Sequence, residues 1–280
     1  KSRLFDNEPF LKNEVTDLDF ELLIKKISQF AENKRLEIEK LHNRDDFRKD
    51  FLGDVSHELK TPLMPILGYV QLLKKQELIG ELNSQQLDAV NEIDLAITRL
   101  QKLVQDVLTV QKIDLEKLTV ANSSINSENI VDTVYNAFSP ICNIKGIKLE
   151  KNIHEKHQLF SDPDRINQVF SNLISNAMEF VPKDNASIEI GTCEEGDKIV
   201  FFVRDNGSGI SSEEQKNIFK KFYQIDTTSK RKKEGSGLGL AICEGIIKKL
   251  SGKIGVKSEI GKGTMFYFTL AKEEISVQNF

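Results

Sequence analysis

Lys198-Ile199-Val200-Phe201-Phe202-Val203-Arg204-Asp205-Asn206-Gly207-Ser208-Gly209 joins an unbroken apolar run to an acid and a glycine-rich turn. β-branched and aromatic residues in a short run bounded by Asn and Gly read as a buried strand. Glycines after such a strand let the backbone turn sharply and approach a ligand, and a carboxylate at its end can accept a hydrogen bond from an exocyclic amine. A plain turn capped by Asp205 would read the same from these residues alone. The surrounding sequence has a matching texture. Ser187-Ile188-Glu189-Ile190, Lys253-Ile254-Gly255-Val256 and Thr264-Met265-Phe266-Tyr267-Phe268-Thr269-Leu270 read as further strands. Helical patterns lie at 128–143, 162–181, 211–222 and 238–251. The second half is therefore an α/β domain of roughly 150 residues, an ordinary size for one core.

Two of these helices carry chemistry. Gly235-Ser236-Gly237-Leu238-Gly239-Leu240 opens the helix at 238–251, where free backbone N–H groups and the positive dipole end favour phosphate. No Gly-Lys-Ser/Thr follows, so it is not a Walker loop, and no strand immediately precedes it, so it is not a Rossmann fingerprint. Upstream, Lys230-Arg231-Lys232-Lys233 is either a solvated face or a means of attracting the anion. On the helix from Asp162 to Val181, Ile166, Phe170, Leu173, Ala177 and Phe180 form an apolar face. Gln168, Asn172, Asn176 and Glu179 form a polar stripe beside it. Amide oxygens ligate hard cations, and a nucleotide-bound Mg²⁺ needs only one or two protein ligands. A solvent-facing stripe would more often use Lys and Glu.

From about Leu18 to Leu118 the chain is rich in Leu, Ile, Glu, Lys and Gln, with few helix breakers. Leu52, Val55, Leu59, Pro62, Ile66, Tyr69 and Leu73 follow a 3,4 alternation, widened by Leu63 and Val70. Val90, Ile93, Ile97, Leu100, Val104 and Val107, then Leu118, repeat it. Gly80 and Asn83, within Lys74–Ser84, mark a turn between two antiparallel helices. Two helices cannot enclose both stripes, whereas two hairpins form a four-helix bundle, so a homodimer is predicted. Residues 17–50 read as a lead-in coiled coil of weak register or as a solvated helix.

Thirty-nine basic against 43 acidic side chains give a net charge of −4, which speaks against nucleic acid or an anionic membrane surface as the main partner. Cys142, Cys193 and Cys243, odd in number and scattered, fit neither a disulfide framework nor a metal cluster and point to a reducing compartment. No apolar run is long enough to span a bilayer. The chain begins with Lys1 rather than Met, which suggests a cytoplasmic piece of a longer protein with its upstream sensor or membrane domain outside this chain.

Taken in order, these motifs resemble those of the sensor histidine kinases. Ser56-His57-Glu58-Leu59-Lys60-Thr61-Pro62 resembles the H-box, Asn172-Leu173-Ile174-Ser175-Asn176-Ala177 the N-box and Asp205–Gly209 the first glycine box. Phe219-Lys220-Lys221-Phe222-Tyr223 resembles the F-box, Gly235–Ala241 the second glycine box and Gly261-Lys262-Gly263-Thr264 the last glycine turn. The resemblance implies a signal-input segment over 1–46, a dimerisation and phosphotransfer hairpin over 47–118 and a linker over 119–127. It further implies an ATP-binding α/β sandwich of the Bergerat (GHKL) type over 128–272 and a tail over 273–280. On that family pattern Asp205 binds the adenine amino group, and Asn176 holds Mg²⁺ with Asn172 beside it. Gly235, Gly237 and Gly239 face the phosphates, while Gly207, Gly209, Phe222, Leu238 and Thr264 complete the ATP site under a lid at 211–234. Glu58 orients or deprotonates His57, and Thr61 supports phosphatase activity toward the partner, the receiver domain of a response regulator.

The residues themselves agree with those roles. With Leu52, Val55 and Leu59 on the seam, His57 falls opposite the core, and a neutral imidazole is nucleophilic near pH 7. An ordinary surface histidine is the alternative. Thr61 lies one turn on, on the same face. Pro62 and Pro65 cannot donate to the carbonyls of Glu58 and Thr61, so the helix is interrupted just past the histidine, where a bend could relay input from residues 1–50. Two positions depart from the family pattern: Glu179 where many relatives carry Lys, and Gln224 where many carry Arg. Either Lys220, Lys221 or the Lys230–Lys233 run supplies the missing charge, or turnover is slow. Two rival readings are a GHKL-type conformational clamp and a nucleotide-binding scaffold without transfer.

Overall fold

The computed structural model describes residues 63–75, 80–154, 156–225 and 236–272, all within one compact unit, Ser56–Phe280. His57, Glu58, Thr61, Pro62, Gly235, the Lys230–Lys233 run, the segment 1–46 and the tail 273–280 lie outside the described residues.

A helix described over residues 63–73 (α1) is followed by α2, Ser84–Asp114. Asn83 starts α2 through a capping box: its side chain accepts from Gln86 N–H at 2.9 Å, and the Gln86 side chain accepts from Asn83 N–H at 3.0 Å. Two otherwise unpaired donors are thereby satisfied, worth about 1 kcal/mol. Val70, Val90 and Ile97 form the seam between the helices, flanked by Leu67 and Leu82. Lys74 bridges to Asp94 at 2.5 Å. Ile66, Tyr69 and Leu73 on α1, with Ile93, Leu100 and Val107 on α2, belong to the predicted stripes yet are exposed. Two helices bury only the strip along which they face each other, so each stripe divides into an inner seam and an outer apolar face. Leu118 is not on this stripe. Helix α2 ends at Asp114, and Leu118 is buried with Val110 in the core of the α/β layer.

The rest is a two-layer α/β sandwich. Strand β1 (Ser123–Asn126) pairs antiparallel with β3 (Gln158–Ser161), with α3 (Ser127–Ile144) and β2 (Lys148–Ile153) between them. Helix α4 (Pro163–Phe180) leads to β4 (Ser187–Glu195), β5 (Lys198–Asp205) and a single turn, α5 (Ser212–Gln215). Helix α6 (Gly239–Lys249), β6 (Lys253–Glu259) and β7 (Gly263–Ala271) complete it. The main sheet has the order β2-β4-β5-β7-β6, parallel at β2/β4 and antiparallel elsewhere. Residues 123–126, within the stretch read as a linker, thus form a strand, and β2 and β3 were not legible as strands. The helix predicted over 211–222 is one capped turn followed by irregular backbone, since Phe222 takes φ 62°, outside any helix.

The sandwich is held by one core. Ile188 and Ile190 of β4, Ile199, Phe201 and Val203 of β5, and Phe266, Phe268 and Leu270 of β7 alternate inward. They meet Ile166, Phe170, Leu173 and Ile174 of α4, Val131 and Val134 of α3, and Ile242 and Ile246 of α6. Phe201 and Phe268 are cross-strand partners stacked at 5.0 Å, and Phe170 meets them edge-on at 6.0 and 5.4 Å. Such contacts add about 0.5–1.5 kcal/mol per pair beyond area burial. Asp162 caps α4, accepting from Asp164 and Arg165 N–H at 3.0 and 3.1 Å, and its other oxygen takes Ala121 N–H at 2.7 Å. The acid that starts the helix thereby also anchors the incoming chain.

Candidate functional site

Asp205 closes β5 opposite Thr264 of β7. Its Oδ1 accepts from Gly207 N–H at 2.8 Å and Thr264 N–H at 3.2 Å, while Oδ2 takes no hydrogen bond among the described residues. Burial raises the pKa of this carboxyl, against the lowering effect of the Gly207 and Thr264 N–H groups. One oxygen is thus fixed and the other is left for a ligand donor such as an amine. Glycine is required around it. A Cβ on Gly207 would lie 2.6 Å from the Phe180 carbonyl oxygen, and one on Gly209, at φ +73°, 2.1 Å from that of Glu259. A Cβ on Gly263, at φ +96°, would lie 2.0 Å from the Asp205 carbonyl oxygen. Ser258 ties the two turns together: its Oγ accepts from Ile210 N–H at 2.8 Å, donates to Gly263 O at 2.9 Å and lies 2.9 Å from Thr264 Oγ1. Nothing in the sequence singled out Ser258, a polar residue within a strand.

Asn172 and Asn176 project one turn apart from α4, both half-buried. Asn172 Nδ2 donates to Gly239 O at 3.4 Å, joining α4 to the start of α6. The side chain of Asn176 makes no hydrogen bond among the described residues. Gln168, on the same stripe, instead accepts from Arg165 at 2.9 Å. A hard cation that draws most of its ligands from phosphates and water needs only one such amide oxygen. The described residues hold no group of three acidic, His or Cys ligands, and a phosphate-shared Mg²⁺ would not require one. Asn176 therefore fits the ion. Behind Asn172 lies Cys243, whose thiol is pushed up to about 12 by complete burial. It is a packing residue and not a nucleophile.

At the other wall, Gly237 at φ +67° and buried Leu238 lead into Gly239 and α6, whose start no side chain caps. Free N–H groups at a helix start make an anion site. Phe222 N–H donates to Gly237 O at 2.9 Å, and a Cβ on Gly237 would meet Phe222 backbone at 2.8 Å. Phe222 stands at φ 62°, an unusual conformation for a bulky residue, and is 69% exposed. Lys221, considered from sequence as a source of phosphate charge, is paired with Asp114 of α2 at 2.5 Å. Glu179 is exposed. Asp205, Gly207, Gly209 and Thr264 thus form one cluster, and Asn172, Gly237, Leu238, Gly239 and Phe222 another.

Sequence reasoning did not find Asp106. This acid of α2 is buried and accepts from Ser236 Oγ at 3.2 Å, beside the glycine turn. Burial raises its pKa, and the Ser236 bond and Lys102 partly offset that. As one acid among many on a long polar helix, it gave no periodic signal.

Comparison with known proteins bears on both layers. Residues 47–116 match the family model of the His Kinase A (phospho-acceptor) domain, and residues 161–274 that of the Histidine kinase-, DNA gyrase B-, and HSP90-like ATPase. Sensor protein SrrB of Staphylococcus aureus strain COL is 36% identical over 240 residues, covering 83% of this chain and 40% of SrrB. The chain thus spans about 40% of the length of the curated relatives it matches. Full-length ShkA, solved in complex with AMPPNP, aligns with a TM-score of 0.68 at 26% identity, over 80% of this chain and 46% of that one. Histidine kinase ThkA, solved in complex with response regulator protein TrrA, gives 0.55 at 25% identity over 80% and 61%. Two family models in this order, over a helical hairpin and an α/β sandwich of the GHKL type, lead to one conclusion: the chain belongs to the sensor histidine kinases.

Proposed function

We propose that this chain is the kinase core of a two-component sensor, transferring the γ-phosphoryl group of Mg·ATP to His57 and then to an aspartate on a response-regulator receiver domain. The observation that carries the nucleotide half is Asp205, held by Gly207 and Thr264 through one oxygen while the other takes no hydrogen bond among the described residues. The adenine amino group donates to that free oxygen. The triphosphate runs toward the N-terminus of α6, where the N–H groups of the first turn, from Gly239 on, have no N-cap side chain to accept them. Asn176 would hold Mg²⁺, with Asn172 beside it, and the ion would supply positive charge to the phosphoryl oxygens.

At His57 a neutral ring nitrogen attacks the γ-phosphorus, the bond to the β–γ bridging oxygen breaks, and ADP departs with that electron pair. The proton on the second ring nitrogen is stabilised, or taken up, by Glu58. Such transfer depends mainly on positioning and charge stabilisation. Thr61, four residues further on in the sequence, positions water for the reverse function, hydrolysis of the phosphorylated receiver. The outer apolar face of the hairpin, Ile66, Tyr69, Leu73, Ile93, Leu100 and Val107, is exposed in the single chain and supports burial against a second copy as a four-helix bundle. The ThkA complex with a response regulator supports the receiver as partner. No described helix is long and apolar enough to cross a membrane, and we place the catalytic work in the cytoplasm, where ATP is available.

Incubation with γ-labelled ATP and Mg²⁺ tests the reading. The expected result is protein-bound label that is lost in acid and absent from His57→Gln. Phosphate release without protein labelling would favour a conformational clamp, and nucleotide binding with neither would favour a scaffold; either overturns the proposal.

A further inference from the structure

Three contacts hold the C-terminal part of α2 against the phosphate-binding end of the sandwich. Ile113 lies over Gly245, where a Cβ would meet its Cγ2 at 2.6 Å. Lys221 reaches both oxygens of Asp114, at 2.5 and 2.6 Å. Ser236 Oγ donates to Asp106 Oδ2 at 3.2 Å. The first is apolar packing and the second a half-exposed ion pair of small worth, and either suits any docked helix.

The third differs in where it ends. Ser236 Oγ, besides donating to Asp106, accepts the N–H of Leu238 at 3.2 Å. Leu238 is the N-cap of α6, and since its own apolar side chain makes no capping bond, Ser236 Oγ is the side-chain acceptor at this end. A relay therefore runs from the Leu238 N–H through the Ser236 hydroxyl to a carboxylate only 8% exposed, borne by a different layer of the protein. A negative group brought to the positive end of a helix is stabilised there, and the same end favours phosphate. Each hydrogen bond made in the relay is one that a phosphate at that end does not receive, and the buried carboxylate repels it at short range.

We propose that Asp106 is an intramolecular stand-in for phosphate: it occupies Ser236 and the start of α6, so that bound nucleotide must displace it, releasing this end of the sandwich from α2. The inference rests on the nucleotide reading above and adds a built-in competitor to it. Asp106 is then a positioning residue that sets the cost of accepting phosphates while leaving base recognition at Asp205 untouched. Its signature is selectivity. Removing the charge should tighten binding of ligands with phosphates and leave adenosine as it was, whereas a merely structural residue would alter both alike.

Calorimetric titration of the 280-residue chain with Mg·ATP and with adenosine, in the wild type and in Asp106→Asn, measures this. We expect ATP to bind about tenfold more tightly to the variant, the size of a partly screened like-charge interaction, with adenosine within twofold of wild type. Unchanged or weaker ATP binding, or equal tightening of adenosine, would overturn the inference. Should Asp106→Asn fail to melt cooperatively, Asp106→Ser decides by the same criterion. A wild type that binds no ATP would overturn the nucleotide reading as well, and so is distinct from a variant that merely matches it.

Discussion

Replacing Asp205 by Asn separates recognition from stability. The carboxylate is 7% exposed, and its Oδ1 carries the Gly207 and Thr264 N–H bonds. An amide oxygen keeps both of these, but its NH₂ then occupies the place of Oδ2 and meets the adenine amine donor to donor. The loss is one hydrogen bond to a charged acceptor, about 1.5–3 kcal/mol, or roughly 10- to 150-fold in the dissociation constant of ATP. Stability should move the other way. Burial raises the pKa of Asp205, so the folded chain holds this proton to a higher pH than the unfolded chain. The stability from that proton is complete below the unfolded pKa and is lost as pH rises through the folded one. Asn has no such loss. Its melting temperature relative to wild type should therefore rise with pH across that window and stay level above it. Calorimetry with ATP and inorganic tripolyphosphate, alongside thermal melts from pH 4 to 8, measures both. ATP binding within twofold of wild type, or an equal loss of tripolyphosphate binding, would refute the role of Asp205 as the adenine acceptor. A melting temperature that falls at neutral pH would refute the account of its burial.

Gly209→Ala forces φ +73° on a side chain whose Cβ would lie 2.1 Å from Glu259 O, costing at least about 2 kcal/mol. Differential scanning fluorimetry should show a loss of about 5 °C or more, and an unchanged melt would contradict the close approach. Phe170→Ala empties the ring that meets both Phe201 and Phe268. Urea titration should register a loss of about 3–5 kcal/mol, and a loss below about 1 kcal/mol would remove Phe170 from the centre of the core. Asp162→Ala leaves the N–H groups of Ala121, Asp164 and Arg165 without their acceptor. Stability should fall by about 2–3 kcal/mol, with faster amide exchange at Ala121; protection there equal to wild type would argue against the anchor.

What the sequence revealed and withheld follows from how each element is stabilised. Strands β5 and β7 are buried along most of their length, so Ile199–Val203 and Phe266–Leu270 show as apolar runs. By contrast β2, Lys-Leu-Glu-Lys-Asn-Ile, buries only Leu149 fully and reads as polar. Strands β1 and β3, four residues each, are too short for periodicity to speak. The 211–222 error has another cause. Ile218 and Phe222 stand four apart, as on one face of a helix, but Phe222 packs its backbone against Gly237, and that contact is distant in sequence. In the hairpin the stripe is legible, yet a stripe does not say which part faces its own partner helix, and the split between buried Val70 and exposed Tyr69 is set by how the two helices pack. At the site, Asp205 and its glycines were readable because glycine turns carry composition. Asp106, Ser258 and the pairing of Lys221 depend on side chains meeting across layers, which leaves no local pattern.

Phosphoryl transfer as proposed forms a nitrogen–phosphorus bond at His57. After reaction with Mg·ATP and digestion at Lys and Arg under alkaline conditions, the peptide Asp50–Lys60 carries both Ser56 and His57 as acceptors. Its phosphoryl group should fragment to the imidazole, survive base and be lost in acid. A phosphate on Ser56 that survives acid, or an unmodified Asp50–Lys60 with label elsewhere, would contradict the account.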